Sequence, residues 1–336
     1  FENIIDEKST LQLSVERLLP HFNYKDIYIS TNYIYEDIVK KQLPKIPKEN
    51  LILEPEKKDV GPAVALSVSL LEKKFPHEPV IILWSDHLVK NVSLFKKILL
   101  KSADYINRNP NKIIFIGHKP RFPSTNLGYI RFGKKIDSIE NINFYEFKYF
   151  KYKPDEKTAK KFFISNSYCW NLGYFITTPR FIVQSFKRFS PDIFNKIKKI
   201  VSFYGTEKYE SNLIKIYKKL KNISFDNAVL EKLNPKDALV VVEDIGWSDI
   251  GSWEALKEAL QKFNDENIIR GRVFLKDVKD SLIYNYEDDK LIVGVDLDES
   301  IIVNTKDVIL IVKKNSMSKV KNIVESFSGT EIEKHI

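Results

Sequence analysis

Val80-Ile81-Ile82-Leu83-Trp84-Ser85-Asp86-His87 is the stretch on which the reading of this chain turns. The five apolar residues at its head have strand length, and a strand apolar on both faces belongs in a sheet covered by helices, the parallel α/β arrangement. The run stops at Ser85 and Asp86. In open α/β sheets, ligands bind outside the carboxyl ends of the strands. A carboxylate placed there can hold Mg2+, a hard cation that takes one or two carboxylates and completes its shell from phosphates and water. A loop or helix-capping Asp is the plain alternative reading of Asp86.

Outward from that strand, short apolar runs alternate with helical periodicity. Residues 27–30, 51–53, 80–84 and 113–117 read as strands; 34–42, 63–75 and 94–107 read as helices, with Pro62 at a helix start where a missing amide costs little. Further on, 144–152, 170–177 and 239–243 read as strands, and 155–164, 180–189 and 254–263 as helices. This rhythm predicts a Rossmann-like α/β domain with a mostly parallel mixed sheet over residues 1–264. From 268 onward, strands at 273–275, 281–284, 291–295, 301–304 and 308–312 recur every eight to ten residues. That spacing predicts a small β-solenoid-like unit over 265–336, closed by a helix near 318–324.

The start is unusual for such a domain. The first clear element is a helix near 9–19, marked by the Ser9/Gln12 capping-box spacing and by Leu11, Val15 and Leu18 on one face. The chain begins at Phe1, and its only methionine is Met317. A fold of this kind usually opens with a strand, then a loop, then a helix; here the helix comes first.

Composition narrows the classes. The 336 residues are 43% hydrophobic and 29% charged, an ordinary globular balance with room for one large core and a smaller unit. No apolar run approaches the roughly 18 residues of a membrane helix, and Phe1-Glu2-Asn3 has no signal-peptide character. Cys169 stands alone, which excludes an intrachain disulfide and a Cys-based zinc cluster. The net charge of +9 suits phosphate-bearing ligands, but the basic residues are scattered and match no nucleic-acid motif. A cytoplasmic protein with no nucleic-acid or membrane partner is the expectation.

Three more stretches carry candidate chemistry. Gly246-Trp247-Ser248-Asp249-Ile250-Gly251-Ser252-Trp253 sets Asp249 at a strand end among glycines and tryptophans; a structural corner is its alternative reading. Residues 54–63 join a strand end to a helix start, where backbone amides favour anions and Gly61 permits close approach of a ligand. Gly128-Tyr129-Ile130, Lys153-Pro154-Asp155 and Trp170-Asn171-Leu172-Gly173 are each weak alone.

In order, these pieces resemble the mannose-1-phosphate guanylyltransferases of the sugar-phosphate nucleotidyltransferase family. The shared segments are 54–63, 85–87, 125–130, 152–155, 170–173, 226–231 and 246–253, with 8–18 similar to the family's first helix. The resemblance implies transfer of GMP from GTP to mannose 1-phosphate, giving GDP-mannose and pyrophosphate. It implies that Asp86 and Asp249 hold Mg2+ and that Lys153 neutralises the sugar phosphate. It also implies that Asn171 and the backbone at Gly128 orient the sugar, that Glu54, Gly61 and Pro62 lie at the base, and that Asp226 faces the sugar pocket. Tyr152 stands where the family has Glu, Leu172 where it has Ser, and Lys58-Asp59-Val60 where it has Arg-Asn-Thr. Those changes keep two alternatives open: another sugar 1-phosphate, or a weakly catalytic regulatory subunit that binds nucleotide sugar. The family also opens with a strand and a Gly-rich loop that binds the triphosphate, for which this sequence has no counterpart, so the resemblance implies that the 336 residues alone would be inactive and poorly stable. A homo-oligomer through the C-terminal unit is an expectation by analogy only.

Overall fold

The computed structural model describes residues 3–5 and 8–335, so Phe1 and Glu2 of the expected non-signal start lie outside the described residues. The chain falls into two compact units: Phe1–Ser85 with Val89–Trp247, and Asp86–Leu88 with Ser248–Ile336.

In the first unit, β1 (Asn3–Ile5) and β2 (Lys8–Ser9) form a short antiparallel pair ahead of α1 (Thr10–Glu16). Ser9 and Gln12 close the expected capping box, each side chain taking a backbone amide of the other. A parallel pair follows, β3 (Ile29–Asn32) beside β4 (Leu51–Glu54), with α2 (Glu36–Gln42) between them. Next come α3 (Val60–Lys74), β5 (Val80–Ile82), β6 (His87–Val89, whose first two residues belong to the second unit), α4 (Val92–Arg108) and β7 (Ile113–His118). The long hairpin β8 (Tyr129–Ile139) and β9 (Ile142–Lys151) leads through α5 (Glu156–Ile164) to β10 (Tyr168–Thr177). Four helices, α6 (Pro179–Phe189), α7 (Pro191–Ser202), α8 (Tyr209–Tyr217) and the short α9 (Phe225–Ala228), precede β11 (Ala238–Val242).

The main sheet has strand order β5-β10-β7-β11-β9-β8, with β10 also reaching β8. It is mixed, as expected, but its parallel share is small: β7 runs parallel to β11, and the other described pairs are antiparallel. The strand expected at 80–84 is shorter and half-buried, because β5 pairs only with β10 among the described strands and so lies at the sheet edge. Alternation along the central strands builds two cores. Ile113, Phe115 and Val240 pack on one face with α3, α6, α7 and α8; Ile114, Ile116 and Val241 pack on the other with Phe95, Leu99 and Ile106 of α4. The product is a three-layer α/β/α domain.

In the second unit, β12 (Trp247–Asp249), which begins at the last residue of the first, leads to α10 (Trp253–Leu260) and then to six strands. β13 (Ile268–Arg270), β15 (Leu282–Asn285) and β17 (Ser300–Asn304) stack in parallel, while β14 (Val273–Lys279) and β16 (Ile292–Asp298) form a second parallel pair. β18 (Ile309–Lys313) closes the first sheet antiparallel, and α11 (Met317–Ser326) follows. This is the solenoid-like coil that the strand spacing predicts. Equivalent residues sit 19 apart, as where Asn304 donates to the Asn285 amide oxygen at 2.7 Å. The coil corners repeat as well: Asp277 and Asp280 adopt positive φ, and so do Asp296 and Glu299 one coil later.

Candidate functional site

The residues around β10 form the first group. At Gly173 the backbone has φ +72°, and an added Cβ would land on the Trp84 indole nitrogen, so only glycine lets the strand pass that ring. The Gly173 N–H donates to the Asn171 Oδ1 at 3.1 Å, and the Asn171 N–H donates to the Gly128 carbonyl at 2.8 Å. The carboxamide oxygen is thus engaged, and its NH2 is left to donate elsewhere. Gly128 itself lies against the Phe150 ring edge, where a Cβ would collide. The structure therefore brings Gly128 and Asn171 together.

The second group gathers at α9. The Gly61 N–H, an orphan at the start of α3, donates to the Ile223 carbonyl at 3.0 Å; a Cβ there would strike that oxygen. Pro62 follows within the first turn of α3, and Asp59, at φ +63°, caps the helix by accepting the Val60 N–H. Stitching 58–61 to 223–224 sets Asp59 near Asp226. The Asp226 carboxyl stands raised to about 6: burial lifts it most, its own backbone amide pulls it down, Glu231 and Asp59 push it up, and the Lys153 ammonium opposes them. Lys153 sits at φ +40°, a conformation uncommon for a residue with a side chain, with Nζ 5.1 Å from the Tyr152 ring. Glu54, at the end of β4, accepts a hydrogen bond from the buried Tyr217 hydroxyl, and burial raises its carboxyl despite that bond.

Asp86 and Asp249 form a third group, in the second unit. β6 pairs with β12. The bonds from Lys90 N–H to the Gly246 carbonyl at 3.2 Å and from Asn91 N–H to the Ile245 carbonyl at 3.0 Å set the antiparallel sense. Asp86, just ahead of β6, and Asp249, last in β12, therefore share one end of the pair. Asp249 Oδ1 accepts the Gly251 N–H at 3.0 Å, which fixes the carboxylate and leaves Oδ2 open. The Asp86 side chain is 65% exposed, with His87 Nε2 at 3.8 Å. The described residues hold no cluster of three or more metal-type ligands. Two neighbouring carboxylates, one oriented and one exposed, are the partial donor set Mg2+ accepts when phosphates and waters supply the rest.

Two participants escaped the sequence reading. Glu231 accepts the Tyr152 N–H at 3.0 Å and the Asn227 side-chain amide at 3.1 Å, which puts a carboxylate beside the residue that stands in place of the family's Glu. Its membership in the 226–231 segment was the available signal. Tyr217 gave none, since its partner Glu54 lies 163 residues away.

Residues 3–266 match the family described as Nucleotidyl transferase. The mannose-1-phosphate guanylyltransferase of Escherichia coli is 32% identical over 333 residues, covering 97% of this chain and 70% of that protein. Mannose-1-phosphate guanylyltransferase 2 of Escherichia coli O157:H7 is 30% identical, covering 97% and 68%. In fold, the chain resembles the crystal structure of mannose-1-phosphate geranyltransferase from Thermus thermophilus, with a TM-score of 0.84 at 24% identity over 96% of this chain and 90% of that one.

Proposed function

This chain belongs to the nucleotidyl transferase family, in the company of the mannose-1-phosphate guanylyltransferases, and from that premise we propose that it transfers GMP from GTP to mannose 1-phosphate. A phosphate oxygen of the sugar attacks the α-phosphorus in line, the bond to the β-phosphate bridging oxygen breaks, and pyrophosphate leaves with the electron pair. Such transfer rests on positioning and charge neutralisation. Likeness to guanylyltransferases over nearly the whole chain is the observation that carries the reading.

The residues take the following roles. Asp86 and Asp249 would hold Mg2+, which would neutralise the phosphates at the reacting centre. Lys153, held at positive φ, presents its ammonium to the sugar phosphate. Asn171 uses its unengaged NH2, and Gly128 its bare backbone, to orient the sugar. Gly61 and Pro62 let the base lie against the start of α3, with Glu54 beside them. Asp226 faces the sugar hydroxyls, and Glu231 supplies the carboxylate that Tyr152 does not. The protein works in the cytoplasm, with GTP, mannose 1-phosphate and GDP-mannose as its small-molecule partners, without nucleic acid or membrane.

The test is magnesium-dependent pyrophosphate release by the full-length protein over a grid of nucleoside triphosphates and sugar 1-phosphates. Turnover with GTP and mannose 1-phosphate alone is expected. Turnover with a different pair would move the substrate assignment. Binding of GDP-mannose without turnover on any pair would replace the enzyme reading with that of a regulatory subunit.

A further inference from the structure

A cavity of about 150 Å3 opens in the first unit between the β3–β4 pair, α3 and α8, and it shares no lining residue with the candidate site. Its size is that of a void able to hold one benzene-sized ring. Tyr28, Tyr33, Tyr204 and Tyr209 line it over an aliphatic floor that includes Leu70 and Leu213. Tyr204 and Tyr209 meet edge to face, with ring centroids 5.2 Å apart at 83°. Four rings around one small space is the lining of a planar-ligand site more than of a packing gap.

The polar groups narrow the ligand. Burial holds the Tyr33 and Tyr209 hydroxyls protonated, Tyr209 being pushed up to about 12, so both act as donors at neutral pH. Neither hydroxyl bonds to another described residue, so both are available to donate to a ligand in the cavity. Two of the four rings already carry one of the protein's own lysines: Lys73 Nζ lies 5.8 Å from the Tyr204 ring centre and Lys74 Nζ 5.7 Å from that of Tyr28. The charged lining residues are Glu49 and Lys74, which cancel. A cation would meet Lys74, and an anion would meet Glu49.

We propose that this cavity is a second binding site, for a neutral, planar, six-membered ring bearing carbonyl acceptors, of pyrimidine-base size. The ring stacks among the tyrosines, and its carbonyls accept from Tyr33 and Tyr209. Saturation-transfer NMR with uracil, in the presence of saturating GTP to block the nucleotide site, tests it. Uracil should receive saturation, whereas cyclohexanol, of similar size but puckered, should receive far less. The Tyr33→Phe/Tyr209→Phe double variant keeps the rings and removes both donors, and should weaken uracil binding about tenfold. Leu53→Phe, which fills the cavity from a strand position that tolerates Phe, should abolish it. No transfer to uracil, or transfer unchanged in both variants, would overturn the proposal and leave the cavity a water-filled space.

Discussion

At the residue scale, two groups of acids differ in their surroundings. Asp249 is oriented by the Gly251 amide, and Asp86 is exposed at the same end of the β6–β12 pair. Asp86→Asn and Asp249→Asn should each lower kcat about a hundredfold or more, as expected when a group stabilising developing charge is removed. Circular dichroism and Tm should stay near those of the parent; near-normal rates in both variants would sink the metal assignment. Asp226 behaves differently, because its carboxyl is raised to about 6 by burial. From about pH 4 to about pH 6, the folded chain keeps a proton on Asp226 that the unfolded chain has released, so stability falls as pH rises through that window. Above it, the ionised form costs at most about 3 kcal/mol. Asp226→Asn should therefore stabilise the fold at pH 7 and lose that advantage near pH 4 in urea titrations, while impairing turnover. An equal change at both pH values would refute the coupling. Asp86 and Asp249 were legible as candidates because each sits in a local motif at a strand end, and Asp226 entered only through the family resemblance. Glu231 and Tyr217 were not named, since what makes them matter is a partner far along the chain: Tyr152 is 79 residues from Glu231 and Glu54 is 163 from Tyr217.

At the element scale, the C-terminal coil is held to its leading helix by an ion triad. Lys257 of α10 is fully buried, and the Asp280 carboxylate, at a coil corner, receives both its ammonium and that of Lys314 beyond β18. Desolvation works against the charged Asp280, but the two lysine hydrogen bonds and their charges outweigh it and hold the carboxyl below its usual range. Removing one partner of a buried pair strands the other, at a cost of about 3–5 kcal/mol. Asp280→Asn should show a loss of that order in urea unfolding, and Lys257→Met/Asp280→Leu should recover much of it; a single-variant loss below about 1 kcal/mol would mean the triad is solvated. Elements themselves were legible to differing degrees. Helices α1, α3 and α4 were read to within a few residues, because capping residues and apolar periodicity are local signals. The β8–β9 hairpin was only partly seen: its outer half, with Lys134, Lys135 and Asp137, is mostly solvated, and so carries little of the apolar alternation that announces a strand.

At the scale of the whole molecule, the formal charge of +9 acts on substrates that are polyanions. Long-range attraction raises encounter rates and is screened within about 10 Å at 0.1 M salt. The expected result is that kcat/KM for GTP falls about threefold or more between 0.05 and 0.5 M NaCl while kcat changes little; a salt-independent kcat/KM would show that the excess lysines are only a solvated surface. The sequence by itself determined the layered α/β class, the coiled C-terminal unit and the order of candidate residues, because each is written in short-range periodicity, turn residues and contiguous motifs. Tertiary structure alone decided that β7 and β11 run parallel within a mostly antiparallel main sheet, and that β5 sits at its edge. It alone brought Asp226 beside Lys153, joined Asp280 to two lysines, and left a tyrosine-lined cavity beside β4. Strand pairing, burial and charge proximity join residues tens to hundreds of positions apart, and no local pattern of side chains encodes which of them meet.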